Sequence, residues 1–319
     1  MVQIGYHASH EQFAPSELLA LVQHAESAGF QALMSSDHLA PWSERQGHSG
    51  FMWSWLGAAM QATRLPFGAV TTPIGLRYHP LLTAQAGATA AELFPGRLAL
   101  ILGTGEALNE RAFGSGWPTK EERAARLEEA IDIIRALWRG ETITRKGHIA
   151  VEEGRVYSLP NQPPALFAAA LTPETAARSA RWAEGLATIN QPIEKLRKII
   201  DAFREGGGEG KPVHLQVHVS YAGSEAEAEQ NALDQWRSNA LSSAAAAELS
   251  TPAMFDAAAA HLKVKDLASS VLISADIARH RAALEEFASL GVDRIILHNV
   301  GRNQDAFIDA VAKHILRQF

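Results

Sequence analysis

The chain has no cysteine among its 319 residues, which excludes a disulfide framework, a thiolate metal centre and a cysteine nucleophile together. It has no apolar run of bilayer length and no signal-like start, because Met1-Val2-Gln3-Ile4-Gly5 passes straight into a strand pattern. A cytoplasmic address with no membrane partner is therefore expected. Blocks of Lys or Arg are missing too. With 29 basic against 35 acidic residues the formal charge is -6, which removes the electrostatic basis for nucleic-acid binding. The dinucleotide fingerprint G-x-G-x-x-G, the phosphate-binding P-loop and the nucleophile elbow are also absent. These exclusions leave a small molecule as the partner.

What is present is an alternation of short apolar or β-branched runs with longer segments of helical period, the pattern of βα units. Strands are predicted at Val2 to Tyr6, Ala32 to Ser35, Leu65 to Val70, Leu98 to Leu102, Leu166 to Ala169, Leu186 to Thr188, Val213 to Val219 and Arg294 to His298. Helices are predicted from Pro15 to a stop at Gly29, from Phe51 to Gln61, from Leu81 to Leu93, and from Thr119 through Trp138. Eight parallel strands with alternating helices predict one (β/α)8 TIM barrel over residues 1–319. The Thr142-Ile143-Thr144 and Val156-Tyr157 runs predict a hairpin insertion near 140–165, and the Ala-rich stretch predicts a helical insertion near 240–264.

In such a barrel the chemistry lies at the carboxyl ends of the strands. Asp37 and His38 follow strand two, Thr72 follows strand three, Gly103, Thr104, Gly105 and Glu106 follow strand four, and Thr172 follows strand five. His38 beside Asp37 reads as a general base oriented by a carboxylate, with a helix cap and a packed histidine as the structural alternative. Trp42 is assigned to a pocket, Trp53 and Trp55 to the core. Glu106 either meets a ligand or makes a rim salt bridge. Thr172 opens a helix whose free N–H groups suit a phosphate, although an ordinary N-cap explains it as well. His7 and His10, or His214 and His218, raise a metal-dependent hydrolase as a competitor, but the spacing does not match a barrel metal site, so no metal is assigned.

Several motifs resemble one family. Gly5-Tyr6-x-Ala8-Ser9-x-Glu11-Gln12-Phe13-Ala14-Pro15, Ser36-Asp37-His38-x-x-Pro41-Trp42, Gly47-His48, Thr72-Pro73 with Arg77-Tyr78, and the run from Gly103 to Glu110 are similar to the coenzyme F420-dependent glucose-6-phosphate dehydrogenase group of the luciferase-like monooxygenase superfamily. The resemblance implies a flavin- or deazaflavin-dependent oxidoreductase on a TIM barrel. By the same resemblance His38 is the base on a substrate hydroxyl, Trp42 stabilises developing charge, Glu106 supplies a proton at the ring edge and Asp37 contacts the ring. Ala69 and Val70 would form a bulge with a non-proline cis peptide behind it.

Departures from the family pattern shift the expectation. Gln191 and Asp256 stand where two phosphate-binding lysines would be, so an unpaired Asp256 would repel a phosphate dianion and glucose 6-phosphate is not the expected substrate. The glycine-rich phosphate turn is Ala170-Leu171-Thr172-Pro173, and the segment from Pro41 to Phe51 resembles a branch presumed to use FMN. The expected cofactor is FMN or coenzyme F420, with the altered turn tilting the choice to FMN. Barrels of this superfamily are commonly dimers, which makes a homodimer the assembly to look for. A flavin-binding protein without catalysis on the same barrel is the alternative reading.

Overall fold

Eight parallel strands close on one another in the computed structural model, which describes residues 1–319. They are β1 (Gln3–Ala8), β2 (Ala32–Ser36), β3 (Phe67–Thr71), β4 (Leu98–Leu102), β7 (Ala165–Ala169), β8 (Gly185–Ile189), β9 (Val213–Ser220) and β11 (Arg294–Asn299). Each pairs in parallel with the next, and β11 returns to β1 through Gln3↔Arg294 to Tyr6↔Leu297, which closes a (β/α)8 barrel. All eight strands read from the sequence are present within about two residues, the usual uncertainty of strand ends. A short strand, β10 (Leu272–Ile273), pairs beside β9 and was not foreseen.

The helices are α1 (Pro15–Ala28), α2 (Met52–Ala62), α3 (Pro80–Leu93), α4 (Ala107–Glu110), α5 (Lys120–Trp138), α6 (Pro173–Ser179), α7 (Ile193–Phe203), α8 (Glu225–Trp236), α9 (Ser243–Ala246), α10 (Pro252–Ala259), α11 (Val264–Leu267), α12 (Ile277–Ala288) and α13 (Gln304–His314). Pro15 starts α1 and Gly29, at φ 101°, stops it by adopting the left-handed conformation that a side chain would disfavour. Thr119 caps α5 by accepting from Glu122 N.

Period-two alternation divides the strand side chains between two cores. Ile4, Tyr6, Leu33, Phe67, Leu98 and Leu100 pack outward with Leu18, Val22, Leu56 and Ile131 of the surrounding helices. Their neighbours Met34, Ile101, Phe167, Ala187 and Ile296 fill the barrel itself. This is why β4 is apolar at every position: both of its faces are covered. One sector of the interior is polar instead. His7 and His298 rings lie 4.5 Å apart and His218 lies 5.3 Å from His298, while Gln216 Nε2 reaches both His218 and His298 at 3.3 Å. Burial holds His7 down at about 4 and His218 at about 3, so these imidazoles are neutral. No three of the acidic or histidine side chains are arranged to hold a metal ion.

Between α5 and β7 the chain makes an antiparallel hairpin of β5 (Ile143–Arg145) and β6 (Val151–Gly154). After α8 it runs through a 3-10 turn, α9, α10 and α11 rather than one long helix. Pro252 cannot continue a preceding helix, and Thr251 caps a new one by accepting from Met254 N, so the Ala-rich stretch is broken there.

Candidate active site

All the strand-end residues singled out above lie on the carboxyl-end rim of the barrel, but their pairings differ from those expected. Asp37 does not orient His38. Its carboxylate is sealed from solvent and accepts from Arg77 Nη2 at 3.1 Å, Thr71 Oγ1 at 3.2 Å and Tyr78 OH at 3.3 Å. Adjacent residues leave an extended strand end on opposite sides, so Asp37 and His38 face different neighbours. Burial pushes the Asp37 carboxyl above its ordinary range, although the Arg77 guanidinium, Tyr78 and Thr71 pull the other way. Glu110 accepts from Arg77 N at 2.8 Å, and burial raises it to about 7.

The carboxylate that meets His38 is Glu11, delivered from the end of β1, with Oε1 at 3.3 Å from Nε2. Glu11 also accepts from Ser9 Oγ at 2.9 Å. Burial alone would raise it, yet His38, His7, its own backbone N–H and Ser9 together bring it below the usual carboxylate range. On the other side of the ring, Asn109 Nδ2 lies 3.2 Å from His38 Nδ1 and donates to Glu106 Oε2 at 3.3 Å. Glu106 is raised by burial, partly offset by His38. One imidazole thus stands between two carboxyl groups whose surroundings push them in opposite directions, Glu11 down and Glu106 up. Environments that push two acids apart in this way equip them for different parts in proton transfer.

Trp42 packs its ring 5.0 Å from His38 and 5.2 Å from Phe255 of α10. A set of polar contacts fixes its loop: Trp42 N donates to Gln46 Oε1 at 2.8 Å, and Gln46 Nε2 donates to Gln235 O at 2.8 Å. Asp256 accepts from Ser43 Oγ at 2.7 Å, Arg45 Nη2 at 2.9 Å and Glu44 N at 3.1 Å. The expectation of an unpaired Asp256 is therefore corrected: its charge latches the Trp42 loop to the helical insertion.

The remaining assignments divide. Val70, Thr72 and Gly103 to Glu106 are half-buried in a row across the ends of β3 and β4. Ala69 is turned away, buried in the outer core between barrel and helices, as the alternation next to Val70 requires. The expected bulge and cis bond at Ala69-Val70 are absent, because both residues continue an unbroken ladder, Ala69↔Leu100 and Val70↔Ile101, with trans backbone. Gly105 has φ 77°, and a Cβ there would meet Thr72 Cγ2 at 3.0 Å and Glu110 Cγ at 3.1 Å. Thr172 is an N-cap, accepting from Thr175 N, and Gln191 donates to Leu171 O. Trp55 is core, its indole donating to Pro15 O. Glu11, Arg77, Asn109 and Glu110 received no role from the residues themselves. A charged or amide side chain just past an apolar strand was the signal available for Glu11 and Asn109. A depression of about 630 Å³, lined by His24, Gly29, Asp309 and Lys313, lies between α1 and α13, on the opposite face of the barrel.

The family model described as luciferase-like monooxygenase matches residues 1–294. A curated protein of Beutenbergia cavernae named F420-dependent glucose-6-phosphate dehydrogenase is 35% identical, the alignment covering 99% of this chain and 97% of that one. Its namesake from Mycobacterium tuberculosis is 32% identical over 97% and 95%. Among solved structures, an F420-dependent secondary alcohol dehydrogenase in complex with an F420-acetone adduct superposes with a TM-score of 0.91 at 26% identity, covering 98% of both chains.

Proposed function

Because the chain belongs to the luciferase-like monooxygenase family, we propose that it is an oxidoreductase that moves hydride between a small organic substrate and a deazaflavin or flavin at the carboxyl-end mouth of its barrel. The observation that carries this reading is the proton-transfer constellation around His38: Glu11 on Nε2, Asn109 on Nδ1, Glu106 beyond it and Trp42 against the ring.

Val70, Thr72 and the Gly103 to Glu106 turn stand half-buried at the ends of β3 and β4, where the proposed ring would lie with the Thr72 hydroxyl and the Glu106 carboxyl as polar contacts. Coenzyme F420 comes before FMN in this proposal, since relatives at 32–35% identity carry F420 in their names; this reverses the tilt that the altered turn gave. The bound ring supplies hydride acceptance or donation. His38 takes or returns the hydroxyl proton, Trp42 lies beside the imidazole on which charge develops, and Glu106 holds a proton at the ring edge. Thr172 remains the proposed contact for the coenzyme tail and Thr72 for the ring edge, whereas the sealed Asp37 carboxylate acts through Arg77, Thr71 and Tyr78 rather than on the ring itself.

For the substrate we propose a small uncharged secondary alcohol or ketone in place of glucose 6-phosphate. Arg45 and Arg77, on the segments after β2 and β3, are each already paired, with Asp256 and Asp37. A phosphate dianion drawn to either would have to displace a carboxylate or lie beside one. A cytoplasmic homodimer completes the proposal, supported by the apolar groove of about 330 Å³ between α2 and α3, where Trp53, Leu82 and Leu93 stand at the surface. Light scattering tests the dimer. The test of function is a spectral titration with F420 and with FMN, followed by turnover of propan-2-ol against glucose 6-phosphate. Binding of either coenzyme with reduction by the alcohol is expected. Binding without reduction by any alcohol favours the non-catalytic carrier and overturns the proposal.

A further inference from the structure

Asn109 links Leu39, His38 and Glu106 through one side-chain amide. Its side-chain amide is oriented without ambiguity, because Leu39 N, which can only donate, reaches Oδ1 at 2.8 Å. Nδ2 must then be the atom facing His38 Nδ1 at 3.2 Å and Glu106 Oε2 at 3.3 Å, and an amide nitrogen can only donate. The ring nitrogen it faces therefore presents a lone pair. On the opposite side, Glu11 Oε1 at 3.3 Å from Nε2 can only accept as a carboxylate, so Nε2 carries the hydrogen. The two constraints come from different strand ends and agree.

We infer that Asn109 sets the tautomer of His38, so that Nε2 holds the ring proton toward Glu11 and Nδ1 is the atom that accepts the proton of a substrate hydroxyl. This deepens the oxidoreductase reading and rests on it. In alcohol oxidation Nδ1 would take the O–H proton while the carbinol carbon gave up its hydride and became a carbonyl, the hydride acceptor being what an oxidised coenzyme held at the mouth would supply. The imidazolium formed is stabilised through Nε2–H by Glu11, in the way a buried carboxylate supports a catalytic histidine. Both contacts of Nδ2 are at the long end of the hydrogen-bond range, so on this proposal the arriving hydroxyl competes with the Asn109 amide for the Nδ1 lone pair. Asn109 is thus a positioning residue, acting through His38.

The titratable groups whose charge reaches His38 are Glu11, His7 and His10 from the β1 end, Asp37 on its own segment though turned to Arg77, and Glu106 from the turn after β4. The test is long-range 15N–1H correlation NMR on coenzyme-free protein labelled at histidine, with the His38 signals identified by their loss in His38→Gln. An acceptor-type Nδ1 and a protonated Nε2 are expected in the neutral form of the ring. Asn109→Asp keeps the acceptor for Leu39 N but presents an oxygen to Nδ1. In it Nδ1 becomes protonated, the acid limb of the kcat profile moves up in pH, and kcat falls about 10²-fold or more with KM changed far less. A protonated Nδ1 in the wild-type protein overturns the inference, as does an Asn109→Asp variant with unaltered ring signals. The wild-type spectrum needs no variant to fold. If it shows the expected tautomer but no coenzyme supports turnover, the functional reading fails while the tautomer assignment stands.

Discussion

Replacing Arg77 with Met removes the one cation that faces the Asp37 carboxylate while leaving most of the side-chain volume in place. Asp37 is fully sealed and the Arg77 side chain is 5% exposed, so neither water nor salt can substitute for the lost pairing. Breaking a buried pair by removing one partner costs about 3–5 kcal/mol. The cost has a ceiling, because the carboxyl can take a proton instead. Burial already raises Asp37 in the wild-type protein, against the pull of Arg77, and removing Arg77 raises it further. The sign follows from proton linkage: the folded variant keeps a proton that the unfolded chain releases above about pH 4, so stability falls as pH rises through that window. The excess loss relative to wild type should reach about 3 kcal/mol or more near neutrality. It should shrink by about 1.4 kcal/mol for each unit of pH below the variant's Asp37 titration. Urea unfolding at acid, neutral and mildly alkaline pH measures this, and Asp37→Asn combined with Arg77→Met should recover more than half of the loss. A variant within about 0.5 kcal/mol of wild type at neutral pH refutes the reasoning, as does a loss independent of pH.

Glu110, raised by burial to about 7, lowers stability as pH climbs from its unfolded value toward neutrality; Glu110→Gln should flatten the urea-derived stability profile across that interval. His24 bridges Asp305 at 2.7 Å and Asp309 at 3.0 Å, and although burial opposes it those carboxylates raise its titration. Its contribution is present below about pH 6.5 and is lost as pH rises through the folded value; with both carboxylates exposed it stays under about 1 kcal/mol, and His24→Gln should remove it. Asp256→Asn weakens the latch on the Trp42 loop, so amide hydrogen exchange at Glu44 should quicken about tenfold, and an unchanged rate would mean the loop is held by packing alone. Gly105→Ala should cost at least 1–2 kcal/mol from its positive φ and its contact with Thr72, read as a lowered urea midpoint.

The barrel was legible in the residues because its determinants are local. Apolar runs such as Leu98 to Leu102 bury both faces, Pro15 and Gly29 bracket a helix, and the order of the runs gives strand ends that share one rim. That rim put His38 and Glu106 at one end of the barrel before any contact was known, and Trp42 was read only from the aromatic stretch that follows and from the resemblance. Partners were not legible, because they join residues far apart in the chain. His38 sits next to Asp37 in sequence, but Glu11 comes to it from the end of β1, and Arg77, 40 residues on, takes Asp37. Asp256 reads as a free charge until its distance to Arg45, 211 residues away, is known. Ala69 and Val70 look equivalent until the register of β3 assigns one to each face of the sheet. The sequence by itself determined the elements and the rim, since periodicity and chain punctuation act within a few residues. Only the tertiary structure decided which acid meets which base, because burial and pairing are set by strand register and by segments brought together when the barrel closes.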